Sequence, residues 1–347
     1  MDMARHDIHG VRARRARTPR FALTFACALA LGFPLTHAQA QQPAAKASPA
    51  PAKAQPPAQS SYATPEAAAK ALYDAVKSDE LKAIYAVLGP GSGPVIFSGD
   101  PVADNAMRDD LITAWDKSLK VEREGDAKAL LSIGPNETPF PFPLVKDAKG
   151  WHFDAQAGAE EVINRRIGQN ELSAMKVCLA FVDAQREYAE VDRDGNGIIE
   201  YAQKLVSSPG KRDGLYWPTK AGEPESPLGP FAVQARAEGY GAKGGKSAKG
   251  QPRPGGAAYH GYRARLLTSQ GKAATGGAYN YVVNGKMIGG FGVVLYPARY
   301  GVSGVMTFIC NHEGVVYEKN LGPATPEIAP AMTTFNPDAS WKKADAS

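Results

Sequence analysis

Residues 170–205 read NELSAMKVCLAFVDAQREYAEVDRDGNGIIEYAQKL, an apolar-periodic run that passes straight into an acidic, glycine-bearing loop. One stripe is Leu172, Met175, Leu179 and Val182; a second is Ala174, Val177, Phe181, Ala184 and Tyr188. Both recur at helical spacing, and together they cover well over a third of a helix surface. A helix that apolar needs cover on two sides, so it is expected to be the spine of a domain. Asn170 reads as its N-cap, with Glu171 complementing the N-terminal dipole. Arg186, Glu187 and Glu190 mark where the helix turns toward water.

The loop carries the most specific motif in the chain. Asp192, Asp194, Asn196, Gly197, Ile199 and Glu200 follow the opening D-x-[DN]-x-[DN]-G-x-I of an EF-hand loop. Spacing by two gathers side-chain oxygens around one point, Gly197 permits the sharp turn, and Ile199 is expected to pack inward. Ile198 would offer its carbonyl at position seven and Glu200 its carboxylate at position nine. Position twelve is Gln203, not the glutamate that completes such a site, so calcium is expected to bind weakly. The same residues also make a glycine-rich turn in which Asp192 and Asn196 satisfy free amides. The sequence leaves both open.

At 347 residues the chain is long enough for two cores. Residues 1–40 hold an Arg-rich start, the apolar run FALTFACALALGF and Ala38-Gln39-Ala40. That pattern is a secretory signal with cleavage after Ala40, which implies a periplasmic protein. The apolar run is too short to span a bilayer easily, and no transmembrane helix is expected after cleavage. Six of the 40 Lys+Arg and two of the 35 Asp+Glu lie in this stretch. Without it the chain is nearly neutral, which removes the support for a nucleic-acid partner. Cys178 and Cys310 remain; they read either as a disulfide pair or as two free buried cysteines.

Residues 41–61 are a Pro/Ala linker. Thr64-Pro65-Glu66 opens a helix with Ala68, Leu72, Ala75 and Val76 on one face, followed by DELKAIYAVLG and a third helix near 101–117. Short alternating runs come next: SLKVERE, AKALLSIG, PFPFPLVKDA and GWHFDA. A short helix, AEEVINRRIG, is expected to link them to the spine. Past the loop, KLVSSPGKRDGLYWPTKAGEPESPLGP reads as a long Gly/Pro-rich segment packed over a sheet, and 241–256 as low complexity. YHGYRARLLTS, GAYNYVVNG, GFGVVLYPA, GVMTFICN and GVVYEKNLG then alternate as strands, with 311–314 as a hairpin connection. The fold class is α+β: N-terminal helices on a curved antiparallel sheet, then the spine helix on a four- to five-stranded antiparallel sheet. The expected division is 62–156 and 157–343.

Helices followed by a sheet ending in GWHFD make 62–156 resemble the nuclear-transport-factor-like cone fold. That resemblance implies a pocket at the open end of the cone, which Asp109, Trp115 or His152 could line, although core and surface roles fit them better. The helix beginning NELSA and the strands through GGFGVVLYPARYG and GVVYEKNLG look like the globular half of type IV pilins and pseudopilins, without their long N-terminal helix. Over 62–343 the chain resembles a bacterial exported family called Domain of Unknown Function 2950. TPEAAAKAL, RRIGQNELSAM, DRDGNGIIEYAQ and SSPGKRDGLYWPTKAGEPESPLGP carry that match. The resemblance implies no activity.

Enzyme signatures are few. His152, His260 and His312 form no zinc-type spacing, and Gly245-Lys246-Ser247 lacks the first glycine of a P-loop. The reading that follows is a non-enzymatic binding or envelope-assembly adaptor, with an envelope protein or glycan as partner and a sheet edge as docking surface. The alternative is a hydrolase or glycan-processing enzyme using Asp213, Tyr216, Trp217 and His260 in a cleft between loop and sheet.

Overall fold

The computed structural model describes residues 58–240 and 257–345. The expected signal, most of the 41–61 linker and the 241–256 run lie outside the described residues. Four helices come first: α1 (Pro65–Lys77), α2 (Leu81–Leu88), α3 (Gly93–Ile96) and α4 (Pro101–Lys117). Thr64 Oγ1 accepts the Ala67 amide at 3.1 Å and Pro65 takes the first helical position, which is why α1 starts there. Its expected face is buried: Ala68, Leu72, Ala75 and Val76. Gly89 ends α2 at a φ of 89°, which a β-carbon would oppose.

The first sheet contains β1 (Leu119–Glu124), β2 (Lys128–Ile133), β3 (Thr138–Pro139), β4 (Leu144–Asp147) and β5 (Gly150–Phe153). Its order is β1-β2-β4-β5, antiparallel, with β3 beside β2. Leu72, Leu131, Leu144 and Phe153 centre the core between helices and sheet. Fully burying a side chain such as Phe153 contributes about 1.5–3 kcal/mol.

Helix α5 (Ala155–Tyr188) corrects the expected link-then-spine arrangement, since its 34 residues are one unbroken helix. The N-cap is Asp154, whose carboxylate accepts the Ala157 amide at 3.1 Å. Nothing in GQNELS breaks a helix, because a single interior glycine costs only about 1 kcal/mol. Asn170 and Glu171, expected as cap and dipole partner, instead reach out of the helix. Asn170 donates to the Ser303 carbonyl at 2.9 Å, and Glu171 accepts the amides of Val305 and Met306, both at 2.9 Å. The expected boundary between residues 156 and 157 falls in the first turn of α5. Gly158 there lies against the first core: a β-carbon would come within 2.8 Å of the Phe142 Cα.

After α6 (Gly229–Ala237) the chain is mostly strand: β6 (Tyr262–Leu267), β7 (Ser269–Gln270), β8 (Tyr279–Asn280), β9 (Val282–Val283) and β10 (Lys286–Met287). Then follow β11 (Gly292–Pro297), β12 (Met306–Asn311), β13 (Val316–Asn320), β14 (Thr334–Phe335) and β15 (Lys342–Lys343). The main sheet runs β15-β13-β12-β11-β6, antiparallel throughout. The α+β class therefore holds, with five strands under the spine. Phe181, Leu295, Phe308 and Ile309 lie in the core between α5 and this sheet. Of the two stripes, Ala174, Phe181, Ala184 and Tyr188 are buried, whereas Leu172 is 55% exposed. Cys178 on α5 and Cys310 on β12 are fully buried, with sulfurs 2.6 Å apart. Among the described residues no helix is long and apolar enough to cross a membrane.

Polar contacts button the first core to the second. Asp100 caps α4 through the Val102 and Ala103 amides, and its other oxygen accepts the Tyr240 hydroxyl at 2.9 Å and the Gly261 amide at 2.8 Å. Arg166 of α5 donates to the Pro94 and Val95 carbonyls at 2.8 and 2.7 Å. Burial raises the carboxyl of Asp104 above its usual range.

Candidate functional site

The acidic loop follows the C-terminus of α5. Gln185, wholly buried, fixes where it ends: its amide donates to the Ala202 carbonyl and accepts the Ala202 amide, both at 2.8 Å. Tyr201 beside it packs edge-on against Phe291 at 4.8 Å. Ile199, expected to face inward, is 51% exposed, because the anchor to the core comes two residues later.

Inside the loop, Asp192 turns its carboxylate onto the chain. It accepts the amides of Gly195 at 2.9 Å, Asn196 at 3.3 Å and Gly197 at 2.7 Å. Asn196 accepts the Ile198 amide at 2.9 Å, and its own side-chain amide donates to Asp194. These are the bonds of the glycine-rich turn. Gln203, expected at position twelve, donates instead to the Gly285 carbonyl at 2.7 Å.

A cation does sit between the remaining carboxylates, and it belongs to the protein. Lys286 Nζ lies 2.8 Å from Asp194 and 2.9 Å from Glu200. This lysine holds the Asp194 carboxyl down at about 2, against an ordinary 3.8. The Lys286 ammonium is in turn raised above its usual range. Because the folded-state value is depressed, the Asp194 contribution to stability is present above pH 3.8 and is lost as pH falls through 2. Among the described residues no group of three or more His, Cys, Asp or Glu is placed to hold a metal ion. In this arrangement Asp192 and Asn196 accept amides of their own loop, Asp194 accepts the Asn196 side-chain amide, and Lys286 lies where a cation would meet Asp194 and Glu200.

A second singled-out segment meets the loop here. Residues 204–217 form a strap closed by Leu215 N to Lys204 O at 3.0 Å and Tyr216 N to Leu205 O at 2.9 Å. Asp213 knots it, accepting the Ser208 amide and Lys204 Nζ, both at 2.7 Å, and the Ser208 hydroxyl at 3.0 Å. Those partners hold its carboxyl well below the usual range. Loop, strap and the β9–β10 turn border an open polar cavity of about 540 Å³. Five cations line it, Arg193, Lys204, Lys211, Arg212 and Lys286, against three carboxylates, Asp194, Glu200 and Asp213.

Two of the cations are held on aromatic faces. The Arg193 guanidinium lies 4.9 Å from the Tyr188 ring and 5.2 Å from Trp217, and donates to the Tyr188 and Glu187 carbonyls at the end of α5. Arg212 lies 5.6 Å from the same indole, and its carbonyl accepts the Tyr188 hydroxyl at 2.8 Å. Such stacking fixes a guanidinium while leaving donors free.

The four residues of the enzyme alternative are dispersed. Asp213 lines the polar cavity, Trp217 is buried behind the arginines, and Tyr216 lines an apolar cavity of about 580 Å³. That cavity lies between α5, α6, the strap and β6–β11, with Phe181, Phe231, Tyr262 and Leu295 on its walls. His260 pairs with Glu238 at 2.9 Å. In the first half, an apolar cavity of about 310 Å³ is lined by Leu72, Ile96, Leu111 and Phe140 among others. Trp115 is core beside Phe140, Asp109 is exposed, and His152 sits half-buried on β5.

Sequence reasoning missed Lys286, Arg193 and Arg212 as site residues. Lys286 follows an Asn284-Gly285 turn, which marks a hairpin but says nothing about which carboxylates it meets 86 to 92 residues earlier. The adjacent Lys211-Arg212 pair was visible only as polar loop.

Lys286→Gln should lower the apo melting temperature only modestly, because its pair with Asp194 is half exposed and its pair with Glu200 only partly buried. It should introduce a calcium-dependent rise in melting temperature larger than that of the wild type, as Asp194 and Glu200 lose their cation. A full calcium response in the wild type, no larger in Lys286→Gln, would show that the lysine does not compete.

The family model described as "Protein of unknown function (DUF2950)" matches residues 59–344, and the chain belongs to that family. No curated protein and no solved structure matches it.

Proposed function

We propose that this DUF2950 protein is a non-enzymatic binding module of the bacterial envelope, exported by the signal cleaved after Ala40, with the polar cavity as its ligand site. The observation that carries this reading is the charge pairing inside the cavity. Its three carboxylates are each matched by a lysine, and Asp194 and Asp213 are held ionised far below neutral pH. A glycosidase or hydrolase needs an acid raised toward neutrality or a poised base. No histidine is among the residues lining this cavity, and its lysine-paired carboxylates recognise charge but do not donate protons. Calcium, in this reading, enters the loop only by displacing Lys286.

The test is hydrogen exchange on the whole protein with and without fragmented envelope material. Slowed exchange in the 193–213 and 285–287 segments together is the expected result. Protection confined to other regions, or turnover of chromogenic esters and glycosides that vanishes in Asp213→Asn, would defeat it.

A further inference from the structure

Charge in the polar cavity is unevenly spent. Lys286 serves Asp194 and Glu200 together, and Lys204 serves Asp213. Among the described residues, Arg193, Lys211 and Arg212 have no carboxylate partner, although all three line the same space. The cavity thus keeps an excess of two positive charges. Its arginines are also pre-ordered: Arg193 lies 4.9 Å from the Tyr188 ring and 5.2 Å from Trp217, and Arg212 lies 5.6 Å from the same indole. Arg193 spends Nε and one Nη on carbonyls, so its remaining donors are available to a ligand.

We infer that this cavity binds a phosphate group, the deepening of the binding-module reading on which it rests. One carboxylate would neutralise a single cation and accept one guanidinium fork. A phosphate monoester carries nearly two negative charges and three acceptor oxygens, which matches two guanidinium planes and an ammonium. The neighbouring carboxylates do not oppose it, because each is already screened by its lysine at 2.7 to 2.9 Å. Tyr188 adds rigidity: its ring supports Arg193 while its hydroxyl holds the Arg212 backbone. The phosphate has two plausible sources, a soluble phosphate ester or a phosphorylated lipid headgroup, and both present the same chemistry.

The experiment titrates inorganic pyrophosphate into the full protein at low salt, reading heat and melting temperature, and repeats it with Lys211→Gln/Arg212→Gln. Both side chains are exposed and the double variant gives up only the Arg212–Trp217 contact, so without ligand it should melt close to the wild type. Pyrophosphate should raise the wild-type melting temperature, with binding at least about tenfold weaker in the variant and weakened by added salt. Sedimentation with phosphatidylcholine vesicles, with and without phosphatidic acid, identifies the source. Variant-sensitive capture by the acidic vesicles assigns a headgroup, and its absence beside pyrophosphate binding assigns a soluble ester. Equal pyrophosphate binding by both proteins, or none, overturns the phosphate inference. If envelope material still protects 193–213 and 285–287, the binding-module reading stands; if it does not, both fall.

Discussion

Refolding the reduced chain in oxidised glutathione is expected to join Cys178 to Cys310 and to stabilise the protein by about 3–5 kcal/mol over its reduced form. The two thiols would give up two protons and two electrons, and glutathione disulfide would leave as two glutathione thiols. The sulfurs already lie 2.6 Å apart, one on the spine helix and one on a central strand, across 132 residues of chain. A cross-link over so long a loop removes much of the freedom of the unfolded chain, which is where the large effect comes from. Both side chains are fully buried, and burial holds the Cys310 thiol protonated well above its ordinary range. The folded, reduced protein should therefore resist oxidation, and the bond should form only as the chain folds. Intact mass and denaturant midpoints of the two preparations decide the matter. Retention of both thiol hydrogens after oxidative refolding, with equal midpoints, would refute it. Cys178→Ala/Cys310→Ala should match the reduced protein more closely than the oxidised one.

The second large effect is expected at Asp100. Replacing it by Ala removes the cap of α4, worth about 1 kcal/mol. It also strands the buried Gly261 amide, at about 1–3 kcal/mol, and takes the acceptor from the half-buried Tyr240 hydroxyl, which keeps only the His260 amide. A loss of about 3–4 kcal/mol is expected, read as a shift in denaturant midpoint. Asp100→Asn keeps an acceptor oxygen for the cap and should lose about half as much. Because Asp100 is only 1% exposed and its partners lie 140 and 161 residues away, the loss should also speed exchange of the Gly261 amide. A loss below about 1 kcal/mol in Asp100→Ala would mean that the two cores do not depend on this button.

What the sequence by itself determined was local. Thr64 and Pro65 start α1, Gly89 ends α2, Gly314 turns the β12–β13 hairpin, and the short apolar runs in 262–320 mark four of the five strands of the main sheet. These follow from caps, backbone freedom and side-chain period, all read within a few residues. The acidic loop was legible as a turn for the same reason, since Asp192 and Asn196 bond only to their neighbours.

Tertiary structure decided the rest. Asn170-Glu171 has the chemistry of a helix start, but intrahelical bonds satisfy that backbone. Its side chains were therefore free to cap the chain near residue 304 instead. The loop's carboxylates looked like ligands for an added ion, and the fold brought them Lys286 from a hairpin some 90 residues on. Asp213 and Trp217 sat four residues apart in one motif, yet one faces the polar cavity and the other backs its arginines. A charged side chain takes whichever partner the packing delivers, and the distance to that partner is written in the fold of the whole chain.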